Sequence, residues 1–161
     1  MPKKFILFLM FWFIFAGCTK VPKELFGQGV KIDYSLINNK EVYTVNFNGV
    51  MRNENRDIVM KNIKGKINII DPDSKKKLAS LPFSLDVILP MSLGNINLRI
   101  DQTEEDIASL LNYFNVDRNE LAGKGSTDGR SLNSDEVVIE NITFDKQNII
   151  KLLKERQNHD S

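Results

Sequence analysis

The sequence has one histidine, one cysteine and one tryptophan in 161 residues, and each scarcity closes off a class of chemistry. The histidine, His159, sits in a polar C-terminal tail, and the cysteine, Cys18, lies near the other end of the chain. A Ser-His or Cys-His catalytic pair therefore cannot be assembled in the usual way. A zinc site built from His and Cys ligands is excluded for the same reason, and one cysteine cannot form an internal disulfide. Charge of one sign is also lacking: 22 basic residues stand against 21 acidic ones, with no basic stripe of the kind a nucleic-acid binder carries. Five of the ten Phe, and Trp12, fall within the first 17 residues. The remainder must build its core mainly from Ile, Leu and Val, a composition that favours strands where these residues alternate.

The first residues follow a set sequence of residue types. Lys3 and Lys4 precede an unbroken apolar run from Phe5 to Ala16, and the small residues Ala16 and Gly17 lead to Cys18. Positive, then apolar, then small is the order of a secretory signal peptide. A membrane-spanning helix needs about 20 apolar residues, and this run stops at Thr19 and Lys20. Phe15-Ala16-Gly17-Cys18 resembles the lipobox of bacterial lipoproteins, with Phe15 where that family usually has Leu. The resemblance implies cleavage between Gly17 and Cys18, a diacylglycerol in thioether linkage to Cys18, and a further acyl chain at the new N-terminus. It would also give the unpaired thiol a use. Thr19 after the cysteine, rather than Asp, implies the outer membrane by the family's sorting rule. An ordinary signal, or an uncleaved anchor, that happens to end at Cys18 is the competing reading.

Beyond the leader the expected divisions are an acylated N-terminus and tether over 18–29, one β-rich domain over 30–157, and a polar tail over 158–161. Val30, Ile32, Tyr34 and Leu36 alternate with polar residues and predict a half-buried strand, closed by a turn at Asn38-Asn39. Tyr43, Val45, Phe47, Gly49 and Met51 give a second strand, ended by Asn53-Glu54-Asn55-Arg56-Asp57. Ile63, Gly65, Ile67 and Ile69 give a third, and Leu81, Phe83, Leu85, Val87 and Leu89 a fourth, with Pro82 and Pro90 favouring an edge. Ile96, Leu98 and Ile100 mark a fifth. The period then changes to three and four at Ile107, Leu110, Leu111 and Phe114, with Thr103 and Asp106 as a capping box. A short helix capped by Asp117 and ended by Gly123 follows. Residues 123–135 form a Gly, Ser, Thr and Asp loop, long enough to be mobile or functional. A last strand covers 137–142, and Asp145 is placed to cap a C-terminal helix through Leu153.

Few groups remain for chemistry. Asp71, Asp73, Asp101, Glu104, Glu105 and Asp106 stand near turns and could serve a carboxylate-based hydrolase of envelope polysaccharide. Asp117-Arg118-Asn119 begins a calcium loop, but Leu121 and Ala122 occupy places that need an oxygen ligand and Gly. Gly123-Lys124-Gly125-Ser126-Thr127 looks like a phosphate loop but has Arg118 where the first Gly belongs. Lys75-Lys76-Lys77, beside Asp71-Pro72-Asp73-Ser74, reads as a solvated turn. No catalytic residue, metal ligand or cofactor site is expected.

From about Val42 to Phe144 the order of features resembles the type 2 late embryogenesis abundant domain, with Asn53-Glu54-Asn55 where that family often has Asn-Pro-Asn. The resemblance implies a small immunoglobulin-like antiparallel β-sandwich, here with a helical insertion and a C-terminal helix (α+β, mainly β), and no catalytic residues. The expected function is a non-enzymatic binding or structural module on the bacterial envelope, lipid-anchored through Cys18, with an envelope protein as partner and no nucleic acid. The alternatives are a carrier of lipid or another apolar ligand, motivated by the apolar faces of 81–89 and 104–114, and the hydrolase named above.

Overall fold

A computed structural model describes residues 19–159. Cys18, Gly17 and the leader before them lie outside the described residues. The chain runs β1 (Leu25–Ile37), β2 (Lys40–Arg52), β3 (Ile58–Ile70), β4 (Lys77–Ile88), β5 (Leu93–Gln102), α1 (Glu104–Phe114), α2 (Arg118–Lys124), β6 (Arg130–Ser131), β7 (Val137–Asn148) and α3 (Ile149–His159). It is mainly antiparallel β with three helices. One sheet has the order β5-β2-β1-β6 and the other β4-β3-β7.

Alternation puts Val30, Ile32, Tyr43, Val45, Phe47, Ile63, Ile67, Leu81, Phe83 and Ile96 into one shared core, closed at one end by Ile107, Leu110 and Leu111 of α1. Several of these are fully buried. At ~25 cal/mol per Å² of apolar surface, each such side chain contributes on the order of 1.5–3 kcal/mol. Gly65 lies opposite Phe83 across the β3–β4 pair, and the aromatic ring fills the space a Cβ would need: that atom would stand 2.7 Å from Phe83 Cε1.

Five boundaries differ from those the sequence suggests, and the first two share a cause, a left-handed residue within a strand. β1 begins at Leu25, so residues 25–29 are strand rather than tether. Gly27 takes φ +57°, the register shifts between Phe26 and Gly29, and the inward parity changes from Leu25 to Val30. β7 continues to Asn148, well past 142, because Asn141 adopts φ +54° and moves the inward set from Val137 and Ile139 to Ile142 and Phe144. Asp145 is therefore a strand residue, and Asn148 caps α3 by accepting from the Ile150 N–H at 2.9 Å. The third is the 123–135 segment, which hydrogen-bonds along β1. The Thr127 N–H donates to Ile32 O, Tyr34 N–H to Gly125 O and Leu132 N–H to Gln28 O, and β6 pairs with β1. Finally, α2 ends two residues later than expected, with Gly125 rather than Gly123 in the left-handed C-cap position. α3 reaches His159, so the helix takes in part of the expected polar tail.

Candidate functional site: the clasp at the tether end

The β2–β3 turn, the β4–β5 turn, the starts of β1 and β5 and the root of α3 all lie at one end of the two sheets, as the pairs Leu25–Met51, Arg52–Leu93, Met60–Ile88 and Ile58–Asn148 require. At their centre is Asn53, fully buried. Its Nδ2 donates to Ile58 O at 2.8 Å and is shared between Ile88 O at 3.2 Å and Leu89 O at 3.1 Å. Its Oδ1 accepts from the Asn55 N–H at 3.0 Å and from Asn55 Nδ2 at 2.9 Å. Backbone bonds complete the joint: Asn53 N–H donates to Ser92 O and Met91 N–H to Asn55 O.

Asn55 faces the other way, toward the start of the described chain. Its Oδ1 accepts from the Lys20 N–H at 2.7 Å and its Nδ2 donates to Lys20 O at 2.9 Å. An amide side chain offers one acceptor and one two-hydrogen donor, so it can pair with a peptide group as another backbone would. Pro22 and Leu25 are buried just downstream. The tether is thus fixed at Lys20, two positions after Cys18. A cleft of about 550 Å³ is lined by Thr19, Lys20, Val21, Phe26, Arg52 and Glu54.

The carboxylates singled out from the sequence lie at the opposite end or on the sheet face, and most of those with a visible partner do structural work. Asp71 accepts from Ser74 Oγ and the Asp73 N–H, which hold its carboxyl below the ordinary range. Asp101 accepts from Thr44 Oγ1, Glu104 pairs with Arg118, and Asp106 completes the Thr103 box. Among the described residues no three His, Cys, Asp or Glu side chains come together as metal ligands. Asp117 caps α2 through the Asn119 and Glu120 N–H groups. The amides of Gly125 and Thr127 are spent on Leu121 O and Ile32 O. Lys77 pairs with Glu140, and Lys75 occupies a left-handed turn position.

Two polar hubs had no counterpart in the sequence reading. Arg118 binds the Tyr43 hydroxyl at 2.7 Å and pairs with Glu41 and Glu104, tying α2 to β2 and α1. Glu136, only 2% exposed, accepts from the Tyr113 hydroxyl at 2.6 Å, the Asn133 N–H at 2.8 Å and Arg130 at 3.1 Å. Burial pushes this carboxyl up, but the three donors outweigh burial and hold it below the ordinary range. The same bond to Glu136, with burial adding to it, pushes the Tyr113 phenol up to about 12.

No family model, curated protein or solved structure matches this chain. A further cleft, about 720 Å³, is an open one on the β1–β2–β5 face, bordered by Asn46, Asn48, Asn97 and Arg99. The geometry can pin a peptide and close a sheet edge. Its best-defined polar work is holding the tether.

Proposed function

We propose that the chain is a bacterial envelope lipoprotein. The leader 1–17 directs export, cleavage falls between Gly17 and Cys18, and the diacylglyceryl thioether and acyl chain on Cys18 hold the protein on a membrane, by the Thr19 rule the outer one. The domain is then a non-enzymatic binding or structural module that meets an envelope protein partner, with no nucleic acid involved. The observation that carries this reading is the ordered passage from Lys3-Lys4 through the apolar run to Ala16-Gly17-Cys18. The Asn55 clasp on Lys20 supports it, because a domain fastened two residues after an acylated cysteine is held against its membrane.

For the domain itself we favour an immunoglobulin-like sandwich of the type 2 late embryogenesis abundant kind. Its support is connectivity: β2 pairs with β1 and β5, and β3 with β4 and β7, so the chain changes sheets at β2–β3, at β4–β5 and at β6–β7. Metabolic labelling with an alkynyl fatty acid tests the anchor. Label should enter the wild type and be lost in Cys18→Ala, with release of the domain from membranes. Label retained by Cys18→Ala would refute it.

A further inference from the structure

Among the described residues, most of the exposed large apolar side chains lie at the end that holds the tether. Leu93, at 63% exposed, Met91 and Leu89 project from the β4–β5 turn, which the Asn53–Ser92 and Asn55–Met91 backbone bonds fasten to the clasp. Val21 and Phe26 flank the tether, and Leu153 is exposed on α3, whose first N–H is held by Asp57 O at 2.9 Å. Among the described residues the exposed large apolar side chains remote from this end are fewer: Leu36, Ile37 and Val138. Met91 sits at φ +52°, a left-handed position that favours Gly or Asn. A large apolar side chain is therefore displayed to solvent where a small or polar residue would be less strained.

From these observations we propose that this end docks on the lipid bilayer, with the 89–93 turn, Phe26 and Val21 seated among the headgroups. The proposal rests on the lipoprotein reading above. What selects the bilayer as occupant is where the chain leads. Two residues of extended chain span at most about 7 Å, so the clasp holds Cys18 within that reach of Lys20, and Asn55 joins Lys20 to Met91 of the apolar turn. The headgroup layer on each side of a bilayer is about 5–8 Å thick. A free tether over 18–29 would instead let the domain wander by about 40 Å. Lys23, Arg52, Arg56 and Lys151 are exposed at this end beside Glu24, Glu54 and Asp57, a mixed, slightly basic rim that suits zwitterionic and weakly anionic headgroups. Apolar side chains inside a charged, slightly basic rim fit interfacial binding.

The test uses the lipidated full-length product. Trp12 lies in the leader, so a single tryptophan placed in the domain is the only one in the processed protein. Leu93→Trp, Phe26→Trp and the far-end control Leu36→Trp are reconstituted in phosphatidylethanolamine and phosphatidylglycerol vesicles with brominated acyl chains. Flotation reports the anchor, and fluorescence reports docking. The expected result is that all three variants float, with Leu93→Trp and Phe26→Trp blue-shifted and quenched at least twofold more than Leu36→Trp. Flotation with equal, weak quenching of all three overturns docking and leaves the anchor standing. Failure to float removes the anchor and docking with it. Shielding of Leu93→Trp from aqueous acrylamide without quenching by bromolipid would mean that protein covers the turn, and also overturns the proposal.

Discussion

Replacing Asn53 by Ala strips the clasp of its centre without touching the apolar core. The side chain serves three carbonyls and two donors of Asn55, and its bonds to Ile88 O and to both Asn55 donors are wholly buried, though Asn55 Nδ2 keeps Lys20 O as a partner. A buried polar group left without a partner costs about 1–3 kcal/mol, whereas Ile58 O and Leu89 O are nearer the surface and can turn to water. Two such orphans give a loss of about 3 kcal/mol. For a domain of this size that corresponds to a fall in Tm of roughly 10 °C. Glu54→Ala, between the two asparagines, is the internal control. Its ion pair with Lys20 is solvent-exposed at 3.6 Å, and its removal should cost less than about 0.5 kcal/mol. Asn55→Ala should fall between them and free the tether, with faster protease cleavage near Lys20. Urea unfolding followed by circular dichroism measures all three. A loss below about 1 kcal/mol in Asn53→Ala, or equal losses in Asn53→Ala and Glu54→Ala, would refute the assignment of Asn53 as the joint.

Glu136 makes stability depend on acid: its folded pKa lies below the unfolded one, so its contribution is present above the ordinary carboxylate range and is lost as pH falls through the folded value. Glu136→Gln should be less stable than wild type at pH 7 and should lose less on acidification below about pH 5, by urea midpoints across pH 3–7. In alkaline titration followed at 295 nm, Tyr113 should ionise near 12 and shift down in Glu136→Gln; an unchanged titration would break the pairing. Gly65→Ala drives a methyl into the Phe83 ring and should cost about 1–3 kcal/mol, recovered in part by Phe83→Leu, as thermal melts would show. Asn68 is buried on the central strand β3, and its side-chain amide has no hydrogen-bond partner among the described residues. Asn68→Val should therefore raise stability by about 1 kcal/mol, and a destabilised variant would mean the amide has work not visible here.

The parts of the fold that could be read from sequence were those where one period runs unbroken. Tyr43, Val45, Phe47 and Met51, and Leu81 with Phe83, point inward as their alternation requires, and Thr103 and Asp117 cap their helices. What was hidden lay where a left-handed residue shifts the parity. Gly27 and Asn141 do this in β1 and β7, and Asn62, at φ +50°, shifts the inward set of β3 from Ile63 to Met60. Alternation counted across such a residue places the next side chain on the wrong face. The clasp was only half legible. Asn53-Glu54-Asn55 stood out as a polar turn, but nothing local distinguishes a solvated Asn from one that binds three carbonyls 5 to 36 residues away. Glu136 was hidden for the same reason, since its partners Tyr113, Arg130 and Asn133 come from two elements and a loop.

The central claim, that the domain is carried on a membrane by Cys18, is tested most directly by the mass of its N-terminal peptide. Protein extracted in detergent from membranes of the native host and digested should yield a first peptide that begins at Cys18, with diacylglycerol on its sulfur and an acyl group on its α-amine. A peptide that begins upstream of Cys18, or one that holds Cys18 as an unmodified thiol, would contradict the account.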